Sequence, residues 1–197
     1  MKFSVFNCLA LLTGVIAFAI QCGPNLSAYQ HLTTPRITTL ADQPMLEVQA
    51  VGAPGETVGP AFKELFGAFY RLRRTHKQLQ CNAPRARWPK PLETPVDQWL
   101  GIYGIPITAE IHELPVSKSE TRVTIAVWQY GTVAEILHIG SYDSEDETVR
   151  RLKAFIDQQG YRISGPHEEE YLRGPGMFGK GNPKKYQTII RYPVEMK

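Results

Sequence analysis

Alternating hydrophobic and polar residues in the first half of the chain predict two short strands, at 36–40 and 45–51. A helix is predicted to follow, with Pro60 in its first turn. Its apolar residues repeat at the spacing of one buried helical face: Phe62, Leu65, Phe66, Phe69 and Leu72.

The connection after this helix, 78–96, is rich in proline and is predicted as a long loop. A loop of that length is either a lid or rim of a binding site, or a surface insertion without a role in binding. We expect it to lead into strands at 99–103 and 107–114.

The second half repeats this order of elements. Strands are predicted at 123–130 and 133–139, and a helix follows. Ser144 and Glu147 have the spacing of a capping box at the start of that helix, and Gly160 is placed to end it. Its apolar stripe is formed by Val149, Leu152, Phe155 and Ile156.

Two final strands, 167–172 and 186–194, complete the second unit. The sequence therefore indicates two half-units, 36–114 and 122–194, in which strand 99–103 is the counterpart of residues 167–171. We predict an α+β fold of duplicated antiparallel sheet-plus-helix units, related by a pseudo-twofold axis around a central ligand pocket.

Residues 1–22 are predicted to be an export signal, because the apolar run 5–20 has signal-peptide length and is short for a membrane span. Cleavage after Ala19, lipidation of Cys22 in a stretch resembling a bacterial lipobox, and an uncleaved anchor are all compatible with this segment. Each predicts a periplasmic or membrane-anchored cell-envelope protein, with residues 23–35 as a polar tether before the domain 36–197.

The composition is that of a globular domain, with 197 residues, 43% hydrophobic, and a net charge of +3. So small a charge gives no argument for nucleic-acid binding, and contact with a membrane is expected only through the N-terminal anchor. The five histidines are scattered, so we predict no metal, and no cofactor is predicted either. Cys22 and Cys81 could pair, unless Cys22 carries lipid and leaves Cys81 unpaired.

The segment that carries the most chemistry is 167–172. In a strand, His167, Glu169 and Tyr171 share one face, whereas Glu168 and Glu170 lie on the other. A carboxylate between aromatic groups suits a cavity for a cationic or polarised molecule. The alternative is a solvated edge strand whose acids keep it soluble.

The C-terminal half resembles the GyrI-like (gyrase-inhibitor-like) small-molecule-binding family, to which the effector-binding domains of multidrug-sensing regulators also belong. The resemblance rests on His138-Ile139-Gly140-Ser141-Tyr142, on 167–172, and on Ile190-Arg191-Tyr192-Pro193-Val194. It implies a duplicated fold around a pocket, with Glu169 as the pocket glutamate and Tyr171 as the family tyrosine.

Around Glu169 we expect a ligand-binding site built from His167 and nearby aromatic residues: Tyr171, Tyr103, Trp99, Trp128 and Tyr130. A carboxyl group buried there should have a raised pKa until a cation binds. The expected function is capture of a small amphipathic or cationic molecule. Hydrolysis of strained electrophiles, with Glu169 and Tyr171 as the catalytic residues, and haem or tetrapyrrole binding are the alternatives.

Overall fold

The structure, a computed structural model, describes residues 26–90, 94–115, 122–175 and 181–197. The predicted export signal and Cys22 lie outside these ranges, as do the first residues of the predicted tether. No helix within them is both long enough and apolar enough to cross a membrane.

Within these ranges the chain forms two long helices packed on one antiparallel sheet. The helices are α1 Pro54–Thr75 and α2 Glu145–Gln158. The strands are β1 Arg36–Leu40, β2 Gln43–Val51, β3 Arg85–Trp88, β4 Leu100–Pro106, β5 Thr124–Trp128, β6 Gly131–Ile139, β7 Tyr161–Ile163, β8 His167–Arg173 and β9 Gln187–Met196.

The strands follow the order β1-β6-β9-β8-β3-β4-β2-β5, and β7 pairs with β9. Exchanging the two half-units gives the same order, read from the other edge of the sheet. The two halves meet at the central β3–β8 pair. Each half also gives its first strand to the other, because β1 pairs with β6 and β5 pairs with β2. The predicted duplicated α+β fold is confirmed, but the halves form one continuous sheet with exchanged edge strands.

Two predictions about the first half are wrong. The expected loop 78–96 contains β3, and residues 107–114 contain no strand. The sheet order therefore makes β3 the counterpart of β8, and β4, predicted as 99–103, the counterpart of β9. A four-residue strand with two arginines has no apolar alternation, so its pairing partners, not its own sequence, define it.

The helix termini also differ from expectation. Helix α1 begins at Pro54, so Pro60 lies inside the helix instead of in its first turn. Ser144 occupies the N-cap of α2 but its side chain makes no capping hydrogen bond. Gly160 has a φ of +77°, the left-handed conformation that ends α2 as predicted.

Both helices cover the same face of the sheet. Leu65, Phe69 and Leu72 of α1 pack against β2 and β4, and Leu152 and Ile156 of α2 pack against β6 and β9. These positions belong to the apolar stripes predicted from the sequence. The core is therefore divided into two apolar clusters, one under each helix.

The opposite face carries a row of alternating charges across five strands, here called the charge ladder. Register neighbours place its members side by side in the order Arg87, Glu168, Arg191, Glu135 and Arg36. Arg191 donates to Glu168 over 2.6 Å and to Glu135 over 2.9 Å. Glu170 completes the group through ion pairs with Arg191 and Arg85, both at 3.2 Å.

Neighbouring arginines keep Glu168 of the charge ladder ionised. Burial alone would raise the pKa of Glu168, but Arg191, Arg87 and Arg85 lower it. Glu168 therefore stabilises the fold above the ordinary glutamate pKa, and this contribution is lost as the pH falls through the lowered value.

The N-terminal segment helps to cover the ladder face. Residues Leu26–Thr33, expected within a tether, form a 3₁₀ helix that contacts β6. Leu32 packs there with Leu137, Leu172 and Ile189. This part of the N-terminal segment belongs to the folded domain.

We expect Arg191→Met to lower the free energy of unfolding by about 3–5 kcal/mol, because three buried carboxylates lose their shared cation. Urea unfolding measures the change. The control is Arg162→Met, which removes an exposed pair with Glu195 and should cost at most about 1 kcal/mol. Equal costs for the two variants would show that the ladder is not a major source of stability.

Candidate functional site

Glu169 lies at the centre of the sheet, on the face that the two helices cover. Its register neighbours are Ala86 on β3 and Ile190 on β9, and Ala86 is in turn opposite Tyr103 on β4. The Glu169 residue is only 2% exposed, and Ala86 is fully buried. The small Ala86 side chain lies between Glu169 and Tyr103 in the sheet, and the Tyr103 hydroxyl oxygen is 3.3 Å from the Thr57 hydroxyl oxygen on α1.

One oxygen of Glu169 is held by a hydrogen-bonded chain. His167 Nε2 donates to Glu169 Oε1 over 2.9 Å, and His167 Nδ1 lies 2.8 Å from the Tyr192 hydroxyl oxygen. The chain fixes the orientation of the carboxyl group. The Tyr171 hydroxyl also hydrogen-bonds with the Glu169 carboxyl group, while the other oxygen, Oε2, is buried without a close hydrogen-bond partner among the described residues. A buried acceptor of this kind is costly unless a ligand or water satisfies it.

Aromatic rings surround this carboxyl group. Tyr171, two residues along β8, meets the rings of Phe62 and Tyr142 edge-on at centroid distances of 6.1 and 5.9 Å. On the β4 side the Tyr103 ring contacts Phe62 at 5.5 Å and Trp88 at 5.7 Å. The two apolar clusters under α1 and α2 therefore meet at Glu169 through a layer of aromatic side chains.

Burial and the Glu169 charge keep the surrounding phenols protonated. Burial raises the pKa of Tyr103 to about 12, with a smaller upward contribution from Glu169. Burial and then Glu169 raise the pKa of Tyr171, Tyr142 and Tyr192. Tyr171 and Tyr142 therefore remain neutral hydrogen-bond donors around the carboxyl group.

A second carboxyl group lies close enough to interact with Glu169. Glu145, the first residue of α2, is 6% exposed, and its Oε1 makes no hydrogen bond with the described residues. Burial and then the charge of Glu169 raise the pKa of Glu145 well above the ordinary glutamate value, while the nearby Thr188 hydroxyl acts the other way. Glu145 thus retains its proton to a higher pH than an exposed glutamate does.

His138 has a structural environment. Its Nδ1 lies 2.9 Å from the Thr148 hydroxyl oxygen, and its Nε2 lies 3.1 Å from the Ser141 carbonyl oxygen. Burial lowers its pKa. The neutral ring therefore ties β6 to the start of α2, the helix that presents Glu145.

The structure brings together five of the seven residues predicted to bind a ligand. His167 and Tyr171 hydrogen-bond with the carboxyl group of Glu169, and Tyr103 lies near enough for that charge to raise its pKa. Trp99 joins the same aromatic layer through Trp88, with ring centroids 6.0 Å apart.

Trp128 and Tyr130 lie elsewhere, and their expected place beside Glu169 is corrected. Tyr130 donates to Glu168 over 3.0 Å on the ladder face. The Trp128 indole donates to Glu47 over 2.7 Å, with the Arg87 guanidinium 4.2 Å from its ring. Neither aromatic therefore reaches Glu169, because both interact with residues of the opposite sheet face.

Other members of the site were not predicted. Tyr142 was visible in the family motif, but no role was inferred for it. Trp88 lies in the segment expected to be a loop. Glu145 resembles an ordinary acidic residue in the first turn of a helix. Tyr192 is brought next to His167 only by the pairing of β9 with β8, which no local sequence pattern reveals.

Comparison with known families identifies the family of this chain. A family model described as a GyrI-like small molecule binding domain matches residues 33–195. The chain belongs to the GyrI-like family. The matched range contains both half-units and every residue that surrounds Glu169. A search of curated proteins gives no match.

Solved structures share the fold of this GyrI-like domain at low sequence identity. A hydrolase encoded by lin2189 from Listeria innocua has a TM-score of 0.71 and 19% identity, covering 87% of this chain and 96% of that one. An uncharacterized conserved protein from Listeria innocua has a TM-score of 0.71 and 21% identity, covering 87% and 97%. The EcmrR C-terminal domain has a TM-score of 0.59 and 14% identity, covering 83% and 98%.

We expect Glu145→Gln to stabilise this GyrI-like domain increasingly as the pH rises above about 4.5, the ordinary glutamate value. Below that value Glu145 is protonated in both the folded and unfolded states. Above it the unfolded chain releases a proton that the folded protein retains, so wild-type stability falls by roughly 1 kcal/mol per pH unit relative to the variant.

Urea unfolding of both proteins between pH 4 and pH 7 measures this difference. Glu147→Gln, at an exposed position in the same helical turn, is the control and should show no such trend. A stability difference between wild type and Glu145→Gln that stays constant with pH would contradict the assigned burial of Glu145.

Proposed function

We propose that this GyrI-like domain binds a small amphipathic or cationic molecule at a pocket centred on Glu169. The observation that carries the proposal is the environment of that carboxyl group. It is buried, oriented by His167, and has one oxygen without a hydrogen-bond partner among the described residues. A cation from solution would supply the missing interaction.

The aromatic layer supports the same ligand class. Tyr171, Phe62, Tyr103 and Tyr142 offer ring faces and edges next to a carboxylate, a combination that attracts organic cations through both charge and ring quadrupoles. Apolar parts of the ligand would pack on the rings, while the cationic centre approaches Glu169. Membership of a small-molecule-binding family agrees with this proposal.

Hydrolysis of a strained electrophile is the second candidate, favoured by the Glu169–His167–Tyr192 chain. A base held in place by a second group is a common catalytic arrangement. Glu169 would take a proton from water while the water oxygen attacks carbon and the strained carbon–oxygen bond breaks. A proton from the Tyr171 hydroxyl would reach the leaving oxygen, and the proton held by Glu169 would restore Tyr171 through solvent.

We also propose that the protein is exported and tethered to the cell envelope. The apolar run 5–20 followed by Cys22 supports this placement. The pocket would then take its ligand outside the cytoplasm.

We expect Glu169→Gln to weaken binding of rhodamine 6G, an aromatic monocation, at least tenfold, because the variant removes the negative charge opposite the bound cation. Fluorescence anisotropy of the dye measures affinity. Glu147→Gln, on the exposed face of α2, is the matched control and should bind as wild type does.

Unchanged dye affinity in Glu169→Gln would refute the proposed role of this residue. The hydrolase candidate is separated from simple binding by incubation with styrene oxide. Diol formation by wild type that is lost in Glu169→Gln supports catalysis, whereas dye binding without turnover of the epoxide supports the binding function alone.

For the envelope proposal, we expect the full chain expressed in a bacterium to fractionate with membranes and to incorporate labelled palmitate. Cys22→Ala should abolish the label, because the thiol is the site of lipid attachment. Membrane association without label would indicate an uncleaved anchor, and an unprocessed cytoplasmic protein would overturn export altogether.

A further inference from the structure

We propose that Glu145 is a second ligand-binding carboxyl group, and that the site takes dibasic ligands whose two cationic groups reach Glu169 and Glu145. This inference rests on the proposed binding function and specifies its ligand class. The ligand chemistry is an aromatic or apolar molecule with two amidinium or ammonium groups.

The contrast between the two sheet faces carries the argument. The domain buries three further glutamates on the ladder face, Glu135, Glu168 and Glu170, and each is paired with arginine. On the helix face, Glu145 and Glu169 are equally buried, yet neither forms an ion pair with lysine or arginine in the described ranges. The buried glutamates of the ladder face are thus neutralised by arginines of the domain itself, whereas those of the helix face are not.

The position of Glu145 is one from which it can meet a ligand. It begins α2, and the Tyr142–Ser144 turn that precedes it carries the aromatic ring packed on Tyr171. The charges of Glu169 and Glu145 both raise the pKa of Tyr142 and of Tyr171. The two acids and the two tyrosines therefore belong to one buried electrostatic group.

One carboxyl oxygen of Glu145 remains open to a hydrogen-bond donor at this end of the site. The Thr188 hydroxyl hydrogen-bonds with the Glu145 carboxyl group, whereas Glu145 Oε1 is buried without a close partner among the described residues. Thr188 is fully buried, and Glu145 is more than nine-tenths buried. An amidinium or ammonium group donates several hydrogen bonds and would satisfy Glu145 Oε1.

Binding of a second cationic group next to Glu145 should release a proton. In the empty site, burial and then the charges of Glu169 and Asp146 favour the protonated form of Glu145, while the hydrogen bond with Thr188 favours the ionised form. A cationic group next to Glu145 favours the ionised form, so the carboxyl O–H bond breaks and its proton passes to the buffer. A monocation bound at Glu169 does not require this step.

Isothermal titration calorimetry tests the proposal with pentamidine, an aromatic bis-amidine, and with its half-molecule that carries one amidine. Titrations at constant pH in buffers of different ionisation enthalpy give the protons released. We expect wild type to release more protons with pentamidine than with the half-molecule. Glu145→Gln should lower the affinity for pentamidine at least tenfold, change that for the half-molecule less than threefold, and remove the extra proton release.

Glu147→Gln is the matched control and should leave pentamidine affinity within threefold of wild type. Thr188→Val, which removes the hydroxyl next to Glu145, should weaken pentamidine binding more than half-molecule binding. Equal effects of Glu145→Gln on the two probes, or none on either, would overturn the inference, as would equal proton release. The proposed function fails separately, if neither probe nor rhodamine 6G binds in a Glu169-dependent way.

Discussion

The pleat of one central strand determines how this domain handles charge. Strand β8 places three consecutive glutamates inside the protein, and alternation sends the middle one to the helix face and its neighbours to the other. Arginines from β3 and β9 neutralise Glu168 and Glu170. The sheet can therefore bury this acidic strand, and Glu169 is held at the centre of the aromatic layer.

The pseudo-twofold arrangement of the fold does not extend to the chemistry of the site. Across the central strand pair, Glu169 of the second half faces Ala86 of the first. One half thus contributes the carboxyl group with its histidine, and the other contributes space and the Tyr103 ring. Glu145 likewise comes from the second half alone. The arrangement of the strands and helices is therefore symmetric, whereas the side chains at the site are not.

The sequence predicts the elements whose patterns are local. Strand 36–40, the apolar stripes of both helices and the alternating faces of β8 follow from periodicity, and the structure confirms them. Strand β3 and the burial of Glu145 could not be predicted, because both depend on partners distant in sequence. The arginines of β3 resemble loop residues in the sequence, and only their ion pairs with glutamates of β8 show that they belong to a strand. Trp128 and Tyr130 resemble site residues in the sequence, but the strand order separates them from Glu169.

The exchange of edge strands constrains how a molecule could reach the interior. Since β1 is bonded to β6 and β5 to β2, swinging one half away from the other would break two strand pairings as well as the central one. Parting the sheet between β3 and β8 would break that one pairing, because β1 stays with β6 and β5 stays with β2. An opening that follows the order of strands in the sheet, not their order in the chain, is therefore the less costly route to the interior.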